Sequence, residues 1–297
     1  MSTVRACVVL ILLLLVTAVL LPIQQIIILF AKRRAGSIPR LWHRIAGRLL
    51  GLRIHVHGAP ANGRPLLITS NHASWLDIVV LSNLMQVSFI AKLEVKSWPV
   101  FGTFAVLQRT VFVNRERRSE TGKVTNEIAQ RLTDGDPLVL FAEGTSSTGN
   151  QILPFKTALF GGVTMALEEG RQDSGSTGGT KAYIQPMSIA YTRLAGLPMG
   201  RQFRTTAAWY GDMSLAPHVW TVLREGAIDV ECAWGPPVVY ETAADRKVAA
   251  RQSEATVRRN MSALLTGRYN ELSLGHGDVH RPVHPGPNQT NQQKNRA

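Results

Sequence analysis

The chain has 297 residues, with 33 Lys and Arg against 20 Asp and Glu and a formal charge of +13 at pH 7. That length fits one large α/β domain or two small ones, while two cysteines, Cys7 and Cys232, exclude a disulfide-stapled miniprotein and a cysteine zinc site. Hydrophobic residues at 45% against 18% charged exclude a disordered polyelectrolyte, and the basic excess asks for a negative partner: nucleic acid, an acidic protein or an anionic membrane.

Residues 6–31 hold no ionisable side chain except Cys7 and are mostly Leu, Ile and Val. About 20 apolar residues span a hydrocarbon core of about 30 Å, so this run predicts a segment in or on a membrane. A cleaved signal peptide would have a shorter apolar run and then a small-residue cleavage site, whereas Lys32, Arg33 and Arg34 follow here. Pro22, Gln24 and Gln25 interrupt the run, leaving open one straight span or two short helical pieces that dip into one leaflet. The first acid of the chain is Asp77, after a stretch that includes Arg40, Arg44, Arg48, Arg53 and Arg64, and this asymmetry places the following domain on the cytoplasmic side. Residues 37–52 predict a basic helix, either lying on an anionic leaflet, at about 1 kcal/mol per basic residue, or simply solvated.

Strand patterns follow at 53–57, 66–69, 87–90, 109–113, 137–142, 183–191 and 228–234, and helical patterns at 77–85, 119–133, 155–169 and 243–265. Residues 59–64 read as a turn and 171–180 as a Gly/Ser/Thr loop. Alternating strands and helices predict an α/β fold, a mixed sheet flanked by helices. Residues 273–297 are too polar to bury a core and predict a disordered tail. His276, His280 and His284 recur there every four residues, but Pro282, Pro285 and Pro287 forbid the helix that would make them metal ligands.

The chemistry concentrates at 70–78, where a buried strand empties into Ser70-Asn71-His72-Ala73-Ser74-Trp75-Leu76-Asp77 before an apolar helix. His72 at that turn, with Asp77 in the first helical turn returning to its other ring nitrogen, makes a general base. Taken alone, His-x4-Asp reads as well as a helix cap and a favourable N-terminal charge. Two further strand ends raise its standing: Phe141-Ala142-Glu143-Gly144-Thr145 after one strand, and Asn114-Arg115 after another. Strand ends converge on one edge of an α/β sheet, so these turns can share a site.

These segments resemble the lysophospholipid, or glycerolipid, acyltransferase family typified by bacterial 1-acylglycerol-3-phosphate acyltransferase. Asn71 to Asp77 resembles its NHxxxxD motif, Val111-Phe112-Val113-Asn114-Arg115 its second motif, Phe141 to Thr145 its FPEGT motif, and Ile184-Gln185-Pro186-Met187 its fourth, together covering about 66–191. The resemblance implies an acyltransferase domain at 59–272, after a membrane anchor at 1–34 and a basic surface helix with the first strand at 35–58. It implies acyl transfer from acyl carrier protein or coenzyme A, as co-substrate rather than bound cofactor, to the free hydroxyl of a lysolipid. His72 is then the base and Asp77 its partner, with Asn71, Ser74, Arg115, Glu143, Gly144, Thr145, Lys156 and Pro186 around the substrates and no metal. A GxSxG nucleophile elbow is missing from the sequence, in keeping with direct transfer and no acyl-enzyme. The donors for the oxyanion are not identifiable.

Phosphatidate-forming relatives often continue EGTR, and here Ser146 replaces that arginine. The run 141–150, with Pro154-Phe155-Lys156 and Trp209-Tyr210-Gly211-Asp212-Met213, is more similar to the branch that acylates lyso-ornithine lipid, whose headgroup carries a carboxylate and an ammonium. Arg115 suits the carboxylate. Arg109, Arg115, Arg117, Arg118 and Lys156 keep lysophosphatidate as the alternative acceptor. The expected partners are acyl carrier protein, the lysolipid and membrane lipids, at a bacterial-type inner membrane with the catalytic domain facing the cytoplasm. A rival of another class, a non-catalytic basic membrane adaptor, explains the charge but not the motifs, and no RNP, KH or zinc signature supports nucleic-acid binding.

Overall fold

The structure, a computed structural model, describes residues 2–31, 34–63, 65–114, 121–160, 182–240 and 246–269. Its first element is one continuous helix, α1 (Ser2–Phe30), with Pro22 inside it, so of the two arrangements the sequence leaves open it takes the unbroken one. The polar interruption is absorbed because Gln24 turns inward. It is 2% exposed, and its Nε2 donates to the carbonyls of Ala35 (2.8 Å) and Leu107 (2.7 Å). The basic helix α2 (Ser37–Leu50) runs back along α1. Arg5 near the start of α1 donates to the carbonyls of Leu49 and Leu50 at the end of α2 and to Leu223 O, while Trp42 Nε1 donates to Thr17 Oγ1 at 2.9 Å. Arg5 thus adds hydrogen bonds and positive charge to a helix end already capped by Gly51 and carrying Arg48 in its last turn. Ala6 and Val9 are buried, whereas Ile11, Leu15, Val19, Ile26 and Leu29 are exposed. One stripe of α1 therefore packs on the domain and the rest is a bare apolar face.

Beyond α2 come β1 (Leu52–His57), β2 (Leu66–Ser70), α3 (Leu76–Leu84), β3 (Ser88–Lys92), α4 (Phe101–Leu107), β4 (Val111–Val113), α5 (Thr121–Thr133) and β5 (Leu138–Phe141). The chain continues through β6 (Ala182–Leu194), β7 (Leu197–Pro198), α6 (Leu215–Glu225), β8 (Ile228–Trp234), β9 (Val238–Tyr240) and α7 (Arg246–Thr266). The strand order is β1-β8-β6-β2-β5-β3-β4, with β7 and β9 also paired to β6. From β6 to β4 neighbours are parallel, β6 and β8 are antiparallel, and β1 is parallel to β8. The sheet is mixed and flanked by helices, as its alternating pattern predicts.

β2 is buried along its whole length, which fits an apolar run at the centre of a parallel region. Its alternation still sorts the two faces. Leu66 and Ile68 pack with α1, α3 and α6, and Leu67 packs with α5 and α7. β1, read from the sequence with the basic helix, is the edge strand of this same sheet.

The short elements α4, β7 and β9 have no sequence expectation, nor does α6, whose Pro217 sits in its first turn, where a missing N–H costs nothing. Of the helix expected at 155–169 the described residues hold a 3-10 turn, Thr157–Phe160; residues 161–169, the loop 171–180 and the tail 273–297 lie outside them.

Candidate active site

Asn71 follows the last residue of β2, where the chain leaves the sheet. Its side chain continues the ladder: Nδ2 donates to Ile189 O and Oδ1 accepts from Ile189 N, both at 2.9 Å. Asn71 is 1% exposed and pins the turn to β6. Ser74 is also fully buried, with its Oγ accepting from Leu76 N at 3.3 Å.

The turn wraps around Asp77 on α3, which has no solvent exposure. Its Oδ2 accepts from His72 Nδ1 (2.8 Å), Ala73 N (2.8 Å) and Ser74 N (3.0 Å), and its Oδ1 accepts from Tyr191 OH (2.6 Å). Four donors fix the carboxylate, and the carboxylate fixes the tautomer. With its proton on Nδ1 facing Asp77, His72 has its lone pair on Nε2. The imidazole stacks on Phe141, with centroids 4.0 Å apart and planes at 17°, and its side chain is 18% exposed. The ring is thus held at the sheet edge, partly open to solvent.

Glu143 comes from the end of β5, next to β2 in the sheet. It is 1% exposed, and its Oε1 accepts from His72 N and its Oε2 from Leu153 N, both at 2.8 Å. The two turns are stitched further by Ser147 N donating to His72 O at 2.8 Å. Glu143 therefore braces the backbone of His72 rather than facing an acceptor headgroup. Gly144 takes the left-handed conformation (φ 72°) that lets Glu143 turn inward. Burial pushes the Glu143 carboxyl up from 4.5 to about 7, against the pull of its two amide donors. A carboxyl that holds its proton more tightly in the folded chain stabilises fully below about pH 4.5, and that contribution is lost as pH rises through about 7. Relative to a Glu143→Gln variant, which does not titrate, the wild-type protein should lose on the order of 2–3 kcal/mol of stability between pH 4.5 and 8 in detergent-solubilised denaturation. A flat difference across that range overturns the assignment.

Thr145 and Lys156 are exposed on the loop after β5, where Lys156 N donates to Ala142 O at 2.8 Å. Arg115 lies outside the described residues. Pro186 is buried in β6 between the residues that pair with β9 (182–184) and those that pair with β8 (187–194), so its missing N–H falls at a gap in the ladder. Its carbonyl accepts from Gly235 N at 2.8 Å, making Pro186 part of the scaffold rather than a ligand contact. Cys232 is fully buried, and burial pushes its thiol above the usual range, so it is no nucleophile at neutral pH.

Sequence reasoning missed Tyr191. The parity of β6 was its signal: Met187, Ile189 and Tyr191 share one face and pack in the core on the side of α3. Burial and the neighbouring Asp77 carboxylate push the phenol well above its ordinary range, so it remains a donor at any working pH. Tyr191→Phe removes one charge-assisted hydrogen bond and is expected to cost about 1.5–3 kcal/mol of stability. Turnover should fall several-fold at unchanged KM, because the base is misoriented while the binding surface is intact; a changed KM with normal kcat would place Tyr191 in substrate binding. Arg204 was also missed, and no pattern announces it. It is 5% exposed, with Nε donating to Tyr191 O (3.1 Å), Nη2 to Met199 O (3.0 Å) and Nη1 to Asn150.

The profile of the acyltransferase family matches residues 53–190, from β1 through the first nine residues of β6, and so includes His72, Asp77 and Glu143. The chain is 50% identical over 270 residues to the lyso-ornithine lipid O-acyltransferase of Brucella abortus (strain 2308), covering 90% of this chain and 97% of that protein. It is 45% identical over 260 residues to the lyso-ornithine lipid O-acyltransferase of Rhizobium meliloti (strain 1021), covering 88% and 87%. Its fold is similar to the crystal structure of the 1-acyl-sn-glycerophosphate acyltransferase PlsC from Thermotoga maritima, with a TM-score of 0.55 and 18% identity over 89% of this chain and 98% of that one. With such identity along nearly its full length, and a histidine held by a buried aspartate at the matched sheet edge, the chain belongs to the glycerolipid acyltransferase family and is an acyltransferase.

Proposed function

We propose that this acyltransferase carries a fatty acyl group from a thioester, on acyl carrier protein or coenzyme A, to the free hydroxyl of lyso-ornithine lipid. The observation that carries the chemistry is the 2.8 Å contact of His72 Nδ1 with a fully buried Asp77. His72 Nε2 takes the hydroxyl proton as the oxygen attacks the thioester carbonyl. The imidazolium so formed is stabilised by Asp77. Collapse of the tetrahedral intermediate breaks the C–S bond, and the departing sulfur takes the proton back from Nε2. Each bond made and broken is accounted for without a covalent enzyme intermediate.

The acceptor rests on the names of the two relatives and on Ser146, which stands where phosphatidate-forming relatives often place arginine. Thr145 and Lys156, exposed beside the site, and Arg115 are the groups assigned to the headgroup. The bare apolar face of α1, with its other stripe packed along α2, supports insertion into one leaflet instead of a crossing away from the domain. The excess of basic over acidic residues before Asp77 puts the domain on the cytoplasmic face of the inner membrane, where the carrier resides.

The test supplies membranes carrying the protein or its His72→Ala variant with labelled acyl carrier protein thioester and either lyso-ornithine lipid or lysophosphatidate. Product from lyso-ornithine lipid alone, dependent on His72, is the expected result. Product from lysophosphatidate alone replaces the acceptor, and absent or His72-independent product with both returns the basic adaptor reading.

A further inference from the structure

Between the anchor and the domain lies a cavity of about 60 Å³ that the acyl-transfer chemistry does not use. It is lined by residues of α1, α2 and α4 with Gln108, and its walls are almost wholly apolar: Leu20, Leu21, Ile38, Phe104 and Leu107 are among them. Its few polar groups follow one rule. Trp42 Nε1 donates to Thr17 Oγ1, and Thr17 Oγ1 donates to Leu13 O. Gln24 Nε2 is taken by two carbonyls, and Gln108 Nε2 donates to Ser82 Oγ (2.6 Å) and Val87 O (3.4 Å). Gln108 Oε1 must then accept from His43, so the His43 proton is on Nε2, at 2.8 Å. Two acceptors remain buried without a partner, Gln24 Oε1 and His43 Nδ1, on residues 2% and 8% exposed.

An unsatisfied buried acceptor costs about 1–3 kcal/mol, so two in one apolar cavity mark a partner that must bring donors. The lining's donors are spent, which excludes a carboxylate, a phosphate or an ester carbonyl as the group received. Burial holds His43 down to about 4, so it is neutral at physiological pH and offers no charge to an anion. Water is a weakly held occupant: the space exceeds the 10–15 Å³ that one molecule needs, but the two bare acceptors are the low end of its 2–4 partners and the lining has no donor left for its oxygen. One wall is α1, whose other face is bare and apolar, so the supply of ligands is the bilayer. We infer that this cavity binds a neutral aliphatic lipid chain through a hydroxyl that donates to His43 Nδ1 or Gln24 Oε1, separately from the acyl acceptor at His72. The ligand touches α1, α2 and α4 together with Gln108, which donates to Ser82 of α3, and so braces the anchor against the catalytic domain. This inference rests on the membrane placement of α1 and not on the identity of the acceptor.

The test uses the full chain in phosphatidylcholine nanodiscs, whose lipids carry no O–H or N–H donor, with 1-dodecanol or dodecane added at equal mole fraction. Dodecanol should raise the unfolding temperature by about 2–4 °C, the shift for about 1 kcal/mol in a domain of this size, and dodecane should not. The shift should vanish in His43→Leu. A diazirine-bearing dodecanol should label peptides of α1, α2 and α4 around Trp42 in the wild-type protein, a readout that needs no variant to fold. Equal shifts from alcohol and alkane, or labelling confined to other surfaces, overturn the inference. Acyl transfer is not read in either arm, so failure here and failure of the proposed acceptor remain distinct.

Discussion

His72→Ala is expected to lower turnover by about 10²- to 10⁴-fold while the protein keeps its fold and its membrane association. The activity loss follows from geometry. Nδ1–H is committed to Asp77, so Nε2 is the group poised to take a proton, and alanine carries no group to replace it. The fold should be kept, at reduced stability, because the variant strands no buried donor. Asp77 Oδ2 retains the N–H groups of Ala73 and Ser74, its Oδ1 retains Tyr191, and the backbone N–H of residue 72 still reaches Glu143. What is lost is the hydrogen bond to Asp77, about 1.5–3 kcal/mol, and the stacked contact with Phe141, about 0.5–1.5 kcal/mol. The check is a rate assay paired with thermal unfolding, with free imidazole added to the variant. Partial recovery by imidazole supports proton transfer at this position. A variant within about tenfold of wild-type turnover would mean that another group is the base.

The His72–Asp77 pair was legible because its spacing places both residues within one turn, a local relation that sequence order preserves. The alternation of strands and helices was legible for the same reason, since period-2 and period-3.6 patterns are local. The supporting shell was not. Asn71 meets Ile189, Glu143 meets His72 and Leu153, and Tyr191 meets Asp77, pairings across 10 to 118 residues that depend on strand order. Asn71, Ser74 and Pro186 carried motif-like signals, and in the structure each makes hydrogen bonds to the scaffold that holds the site. The same limit applies to α1. Composition shows a helix fit for a membrane, but Gln24 reads as an interruption until Leu107, 83 residues away, is found beside it.

The second large effect belongs to Asp77, and its two variants should diverge. Asp77→Ala removes the acceptor of four donors from a site with no solvent exposure. The His72 ring is partly exposed and can find water, but the N–H groups of Ala73 and Ser74 and the hydroxyl of Tyr191 are left buried and unpaired. At about 1–3 kcal/mol each, these three cost on the order of 3–9 kcal/mol, a large share of the 5–15 kcal/mol that stabilises a typical domain. Asp77→Ala should therefore lower the unfolding temperature steeply and accumulate poorly. Asp77→Asn should fold. Its carbonyl takes the place of Oδ2 and serves His72, Ala73 and Ser74, while its NH2 faces Tyr191, whose hydroxyl can turn to accept. The shape is kept and the charge is lost, so the imidazolium formed as His72 takes its proton has no counter-charge behind it. Turnover of the folded Asp77→Asn protein should fall by about 10²-fold or more with KM little changed. The pair of measurements separates two roles that the wild-type structure merges in one side chain. A stable Asp77→Ala protein would refute the burial argument, and a fully active Asp77→Asn protein would show that hydrogen bonding alone, without the negative charge, suffices to hold the base.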